Sequence, residues 1–140
     1  MQLKYIFALI VIMTVLGTVT LVSADDNVNV AGIDFNIPEG FEENTTYTGQ
    51  VYSDGDYVDV EYNTYTDGSD SIEIMVKTAP EGKEYTSLEP GEGDYSKTIN
   101  GIDGYYNDDI EGYECFTFIK DGKNISVLSE NGDLIEKVIK

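Results

Sequence analysis

Apolar and polar residues alternate along most of the chain after residue 26, and short runs rich in Gly, Asn and Asp interrupt the alternation. A period of two is the signature of strands that present one face to a core. Val28 and Val30 alternate, then Ile33, Phe35 and Ile37, with Ala31-Gly32 between them. This predicts two short strands joined by a turn or bulge. Pro38 ends the second because it has no N–H to give a ladder, and Phe41 then plugs one end of the core. Residues 42–46 read as a loop, 47–52 as a weak strand and 53–56 as a turn. The longest alternating run, 57–66, places Val58, Val60, Tyr62 and Thr64 on one face and Asp59, Glu61 and Asn63 on the other. In residues 71–77 the apolar face is Ile72, Ile74 and Val76. Matching the two apolar faces puts Val60 opposite Val76 and Tyr62 opposite Ile74, which requires an odd-numbered loop or a bulge near residues 67–70.

The strongest hairpin signal is Asp121-Gly122 within residues 114–128, ECFTFIKDGKNISVL. A type I′ turn there opposes Phe118 to Ile125 and Phe116 to Val127, so four large apolar side chains share a face. Thr117 opposite Ser126 and Ile119 opposite Asn124 form the more polar face. Asn100-Gly101 signals a second hairpin, with Ile99 facing Ile102 and Tyr95 facing Tyr106. Residues 78–94 hold two Pro and three Gly and read as a long surface loop with a short turn of helix at 84–88; residues 107–112 read as an acidic loop. Residues 133–140 predict a short helix capped by Asp133, with Glu136 three residues on and a stripe of Leu134, Ile135, Val138 and Ile139. Lys137 and Lys140 lie at the end where the dipole favours cations. Two turns do not persist alone in water, so this helix must dock on a sheet. The fold class is therefore α+β: an antiparallel sheet of hairpins with one short C-terminal helix, preceded by an N-terminal signal or anchor helix.

That N-terminal helix is predicted from residues 6–22, which carry no charge, after Lys4 as the only charge before Asp25. Val22-Ser23-Ala24 offers small residues where a signal peptidase reads, so cleavage after Ala24 is one reading. Retention as a membrane anchor is the other, since the run approaches the ~17-residue lower limit for a span. Residues 1–24 are thus a signal peptide or anchor, and residues 25–140 a single extracytoplasmic domain, secreted or on the outer face of the cell membrane. Membrane contact is expected only through the N-terminal segment, if uncleaved.

Residues 25–140 carry seven lysines against 27 acids, a formal charge of −20, with no Arg and no His anywhere in the chain. Such a surface repels phosphate backbones, which disfavours nucleic acid as a partner. Without His, no Ser-His-Asp or Cys-His arrangement and no usual catalytic zinc site is available. No catalytic residue, metal ligand or cofactor site is assigned, and the expectation is a non-catalytic domain. Asp54, Asp56 and Asp59, or Asn107, Asp108 and Asp109, supply oxygen ligands but do not fit a calcium loop, so both read as solvated loops. Cys115 is the only cysteine and reads as a buried, inert thiol. Asn44 and Asn124 lie in Asn-x-Ser/Thr sequons, candidate glycosylation sites in an exported chain.

GIDFNIPEGF at 32–41 resembles the opening strand of PsbP-like and DcrB-like domains, where a strand runs into Pro, a polar residue, Gly and an aromatic. INGIDGYY at 99–106, CFTFIKDGKNISVL at 115–128 and DLIEKVIK at 133–140 are similar to the closing hairpins and C-terminal helix of those domains. The combination looks most like small exported proteins of unknown function from methane-producing archaea. The resemblance implies a fold and brings no functional residues. The chain departs from the larger family in lacking a middle helix at 78–94. Two functional expectations follow: a binding or structural component with an extracellular protein or glycan as partner, and a carbohydrate- or cell-wall-binding module using exposed Tyr with acidic acceptors.

Overall fold

Glycine-containing two-residue turns set the pairing. Ala31-Gly32, Asn100-Gly101, Glu111-Gly112 and Asp121-Gly122 each have φ > 0 at both positions, for example 52° and 72° at the last. That is type I′ geometry, whose twist matches the strands it joins. The structure, a computed structural model, describes residues 20–21, 26–53 and 55–140. Its strands are β1 (Thr20–Leu21), β2 (Asp26–Val30), β3 (Ile33–Ile37), β4 (Glu42–Ser53), β5 (Asp56–Thr66), β6 (Ser71–Thr78), β7 (Tyr95–Ile99), β8 (Ile102–Ile110), β9 (Tyr113–Lys120) and β10 (Lys123–Ser129), followed by helix α1 (Gly132–Val138). Of the N-terminal helix expected over residues 6–22, residues 6–19 and 22 lie outside the described residues, while Thr20 and Leu21 are strand, paired with Glu43 and Glu42 of β4.

Eight strands form one antiparallel sheet in the order β1-β4-β5-β6-β10-β9-β8-β7, while β2 and β3 pair separately. Two meanders, β4-β5-β6 and β7-β8-β9-β10, are therefore joined edge to edge by the β6–β10 ladder, with Ile125 opposite Val76 and Val127 opposite Ile74. The anchor hairpin has the expected register, Phe118 opposite Ile125 and Phe116 opposite Val127. The Asn100-Gly101 hairpin likewise pairs Ile99 with Ile102 and Tyr95 with Tyr106.

The larger core lies between one sheet face and a cover made of the β2–β3 hairpin and α1. Phe35, Ile37, Ile72, Ile74, Phe116, Phe118, Ile125 and Ile135 are all buried in it. Phe116 and Phe118 stack with centroids 5.3 Å apart, and Tyr106 tilts against Phe116 at 6.3 Å. Gly104 makes room for this: a Cβ there would meet the Thr117 carbonyl and lie 2.8 Å from the Phe116 ring. The helix is tied down at its C-terminal end by Asn100, whose Nδ2 donates to Glu136 O at 3.0 Å and Ile139 O at 2.9 Å.

The other sheet face is also covered. Val51, Val58, Val60, Tyr62, Met75, Ile110, Cys115 and Leu128 form a second buried cluster, with Tyr47, Tyr85 and Tyr113 packed against it. Tyr85 belongs to the segment 79–94, which contains no helical turn at 84–88. Its backbone is held to the sheet instead, since Tyr85 N donates to Gly122 O at 2.8 Å.

This second core explains the register that sequence matching misplaced. Strands β5 and β6 pair with Tyr62 opposite Met75, Asn63 opposite Ile74 and Val60 opposite Lys77, one residue from the expected alignment. The expectation assumed one apolar face. With both faces buried, Val60 and Tyr62 serve one core while Ile72, Ile74 and Val76 serve the other. The four-residue loop needs no bulge, because Asp67 Oδ1 accepts from Ser69 N at 2.8 Å and Asp70 N at 2.7 Å.

Three boundaries also differ from expectation. Residues 42–46 are strand, because a bulge between Glu43 and Thr45 lets β4 continue alongside β5. Residues 107–110 are strand too, irregular between Asn107 and Ile110, with the turn at Glu111-Gly112. The helix starts at Gly132 with Asn131 as its N-cap, not Asp133: Asn131 Oδ1 accepts from Asp133 N at 3.2 Å. The acid at Asp133 then sits in the first turn, where the dipole favours it.

The packing makes three substitutions informative. Phe118→Ala is expected to cost about 3–5 kcal/mol through lost transfer energy and a cavity. Thr117→Ala is expected to cost about 1–3 kcal/mol, since the Ser126 hydroxyl, 1% exposed and 3.0 Å away, loses its partner. Denaturant melts measure both, and a neutral Thr117→Ala would mean that the second face is open to water. Asn100→Asp keeps a turn-forming residue but removes two donors and places a negative charge at the helix end that disfavours one. It is expected to cost about 1–3 kcal/mol, against less for Asn100→Gly, and equal melts for the two would contradict the capping role.

Candidate functional site

The segment 79–94 does not lie flat against the sheet along its whole length. It is pinned at one end by Lys83 Nζ, 3.0 Å from Asp56 Oδ2, and by the Tyr85 amide. At the other end Asn107 Nδ2 donates to Glu92 O at 3.1 Å and Asp94 Oδ1 at 2.7 Å. Between these pins, residues 86–88 stand beside the second face of β7, β8 and β9 and flank an open groove of about 530 Å³. Its walls carry Thr86, Ser87 and Leu88 from the segment and Ser96, Lys97, Thr98, Asp103, Gly104, Tyr105 and Ile119 from the strands. The strand residues share a face because Ser96 is opposite Tyr105, and Thr98 opposite Asp103. Thr98 Oγ1 donates to Asp103 Oδ1 at 2.5 Å, which fixes that carboxylate at the rim. The groove thus combines neutral hydroxyls, one aromatic ring, two aliphatic contacts, a single carboxylate and Lys97, whose ammonium lies over the Tyr106 ring.

A second cleft, about 490 Å³, lies at the start of α1 and is almost wholly polar. Asp70, Glu114, Glu130, Asp133 and Glu136 surround it, with Lys97 as the cation in its lining. Lys97 Nζ sits 4.1 Å above the Tyr106 ring, and the Tyr106 hydroxyl donates to Glu114 Oε1 at 3.0 Å. Burial, then this carboxylate, raises the Tyr106 pKa above its usual value and keeps the phenol protonated. Among the described residues, no group of three or more Asp, Glu or Cys is placed to hold a metal ion.

Asn44 is exposed on β4, beside the bulge. Asn124 is half-buried near the start of β10, and its Oδ1 is enclosed without a hydrogen-bond partner. Ala24 and Asp54 lie outside the described residues. Cys115 is 2% exposed, opposite Leu128, and burial pushes its thiol up to about 12. The exposed tyrosines do not form a row. Tyr52 and Tyr57 pair edge to face at the β4–β5 tip, and Tyr95 lies on β7 at the far side of the sheet. Tyr62, Tyr65 and Tyr106 are buried. The groove residues Ser96, Thr98, Asp103 and Tyr105 were not singled out from sequence. Their shared face follows from the Asn100-Gly101 register, but the residues that roof them arrive from an irregular segment with no periodicity to read.

No family model matches the chain, and neither a curated protein nor a solved structure does. The class that the fold defines is a small α+β domain, mostly antiparallel sheet at 61% strand, with one short C-terminal helix. Among the described residues no helix is long and apolar enough to cross a membrane.

Glu73 carries a pH prediction. Burial on the second face raises its pKa above the ordinary 4.5; the bond from Tyr62 partly offsets this and Glu130 adds to it. The folded state therefore holds this proton more tightly than the unfolded chain, and the contribution of Glu73 to stability falls as pH rises above about 4.5. Urea melts from pH 4 to 8 should show wild type losing stability relative to Glu73→Gln as pH rises. Parallel curves for the two proteins would contradict this placement of the carboxylate.

Proposed function

We propose that the chain is exported and acts outside the cytoplasm as a non-catalytic binding domain, with the groove over β7–β9 as its ligand surface. The ligand class is a neutral, hydroxyl-rich chain such as a cell-surface glycan. The groove carries this reading: its hydroxyls can give and accept hydrogen bonds, Tyr105 offers a ring to stack on, and a single carboxylate adds an acceptor. Binding is assigned to this one half-buried ring rather than to a row of exposed tyrosines, because Tyr95 lies across the sheet from the Tyr52–Tyr57 pair and the three do not line one surface. Export is supported by the uncharged run 6–22 and the small residues at 22–24. The lack of His and Arg and the burial of Cys115 support a non-catalytic role. The kinship to PsbP-like domains is proposed as one of fold only, resting on residues 32–41 and the closing hairpins.

Titration with a panel of neutral oligosaccharides tests the groove. Saturable binding is expected, weakened at least tenfold by Tyr105→Ala and unchanged by Cys115→Ser. Failure of every oligosaccharide, or binding indifferent to Tyr105→Ala, would overturn the assignment. N-terminal sequencing of the native protein is expected to begin at Asp25, which would remove β1 and leave a seven-stranded sheet with β4 at its edge; a start at Met1 would indicate a retained anchor instead.

A further inference from the structure

The two edges of the eight-stranded sheet are unlike. At one, β7 is five residues long and carries Lys97, the short, charged kind of edge that discourages further pairing. At the other, β4 runs for 12 residues, and β1 covers its outer side only at Glu42 and Glu43. From Thr45 to Ser53 the inner side of β4 pairs with β5 in unbroken register. Among the described residues no strand lies on the outer side of that stretch. Alternate residues of an antiparallel strand direct their N–H and C=O groups to opposite sides, so half of this backbone faces outward. Residues 44–53 hold no charged side chain, the longest such run among the described residues, in a chain with 27 acids. Thr45, Thr46, Tyr47, Thr48, Val51 and Tyr52 are strong strand formers, and no Pro interrupts them. Among the described residues, the usual protections of an edge are absent where the edge is longest.

We propose that the outer edge of β4, residues 45–53, pairs with the same edge of a second copy of this chain, antiparallel and two-fold symmetric, to join two sheets into one. The charge distribution selects the occupant. A strand and its own copy meet in antiparallel fashion through one self-complementary patch. Like charges placed opposite each other across a ladder destabilise it, and here the strip brings none, although each copy is strongly acidic. A basic partner would find no carboxylate within residues 44–53 to pair with. Long-range repulsion between two such acidic molecules remains, and salt screens it. Dimerisation is therefore strengthened by salt. This inference does not depend on the groove, which lies at the opposite end of the sheet.

Sedimentation velocity of the native mature protein over a range of concentrations, at low and high salt, tests it, together with hydrogen exchange of residues 45–53. The expected result is a concentration-dependent dimer, at least tenfold tighter at high salt, with exchange in 45–53 slowing as dimer forms. Thr48 is exposed and lies opposite Glu61 of β5; Thr48→Glu and Thr48→Lys should each weaken the dimer at least tenfold although they act oppositely on the melt, and mixing the two variants should restore it as a heterodimer. Should one variant fail to fold, the other still reads the contact. A monomer at every concentration and salt would overturn the proposal. So would a dimer indifferent to both variants, or protection of residues 45–53 that does not change with concentration, which would place a segment of the same chain on the edge.

Discussion

Strand β10 is the member on which the fold depends, because both of its edges are taken, one by a neighbour in sequence and one by a distant strand. Its pairing with β9 is local and is set by the Asp121-Gly122 turn. Its pairing with β6 closes a loop of roughly fifty residues, an entropic cost that grows only slowly with length but comes before any contact is gained. The apolar residues of β10 repay it on both faces. Ile125 and Val127 enter the larger core, while Leu128 enters the smaller one. Without the β6–β10 ladder the chain would be two separate meanders, each with open edges and uncovered apolar surface.

The double burial has consequences for charge and for function. With both faces covered, an acid within an inner strand is partly desolvated, as Glu73 on β6 is. Double burial also commits the irregular segment 79–94 to covering work. That segment brings one aromatic residue, Tyr85, to the second core and is otherwise suspended between pins at Lys83 and at Asn107. The groove is the space left under the suspended part. It therefore sits where backbone is least constrained by secondary structure, on the side of the sheet built from the β7–β9 strands, while the uncharged edge of β4 lies at the other end.

Much of the fold was legible because its turns announce themselves. Asp121-Gly122 and Asn100-Gly101 combine residues that tolerate φ > 0, and each fixed a register that the structure reproduces. Glu111-Gly112 was missed because Glu is not a turn former and its acidic neighbours read as a solvated loop. The first residues of β4 were missed for a related reason: Glu42, Glu43 and Asn44 show no apolar alternation, and only pairing with β5 makes them strand. The β5–β6 register failed through the assumption of a single core, since strands buried on both faces give two apolar sets and sequence does not say which set belongs to which side. Asn131 and Asp133 are both good N-caps, two residues apart, and the choice between them falls to the tertiary position of the helix. Of the groove, the strand half follows from a readable hairpin, while the roof depends on where a long loop crosses the sheet.

Native-state hydrogen exchange measured residue by residue against denaturant tests the central role of β10 most directly. The account predicts that the slowest amides are those of the β6–β10 ladder, such as Val76, Ile125 and Val127, and that they exchange only with global unfolding, in one cooperative unit spanning both meanders. Exchange of the β4–β6 amides at a distinctly lower free energy, with β7–β10 still protected, would contradict it and show that the two meanders are stable apart.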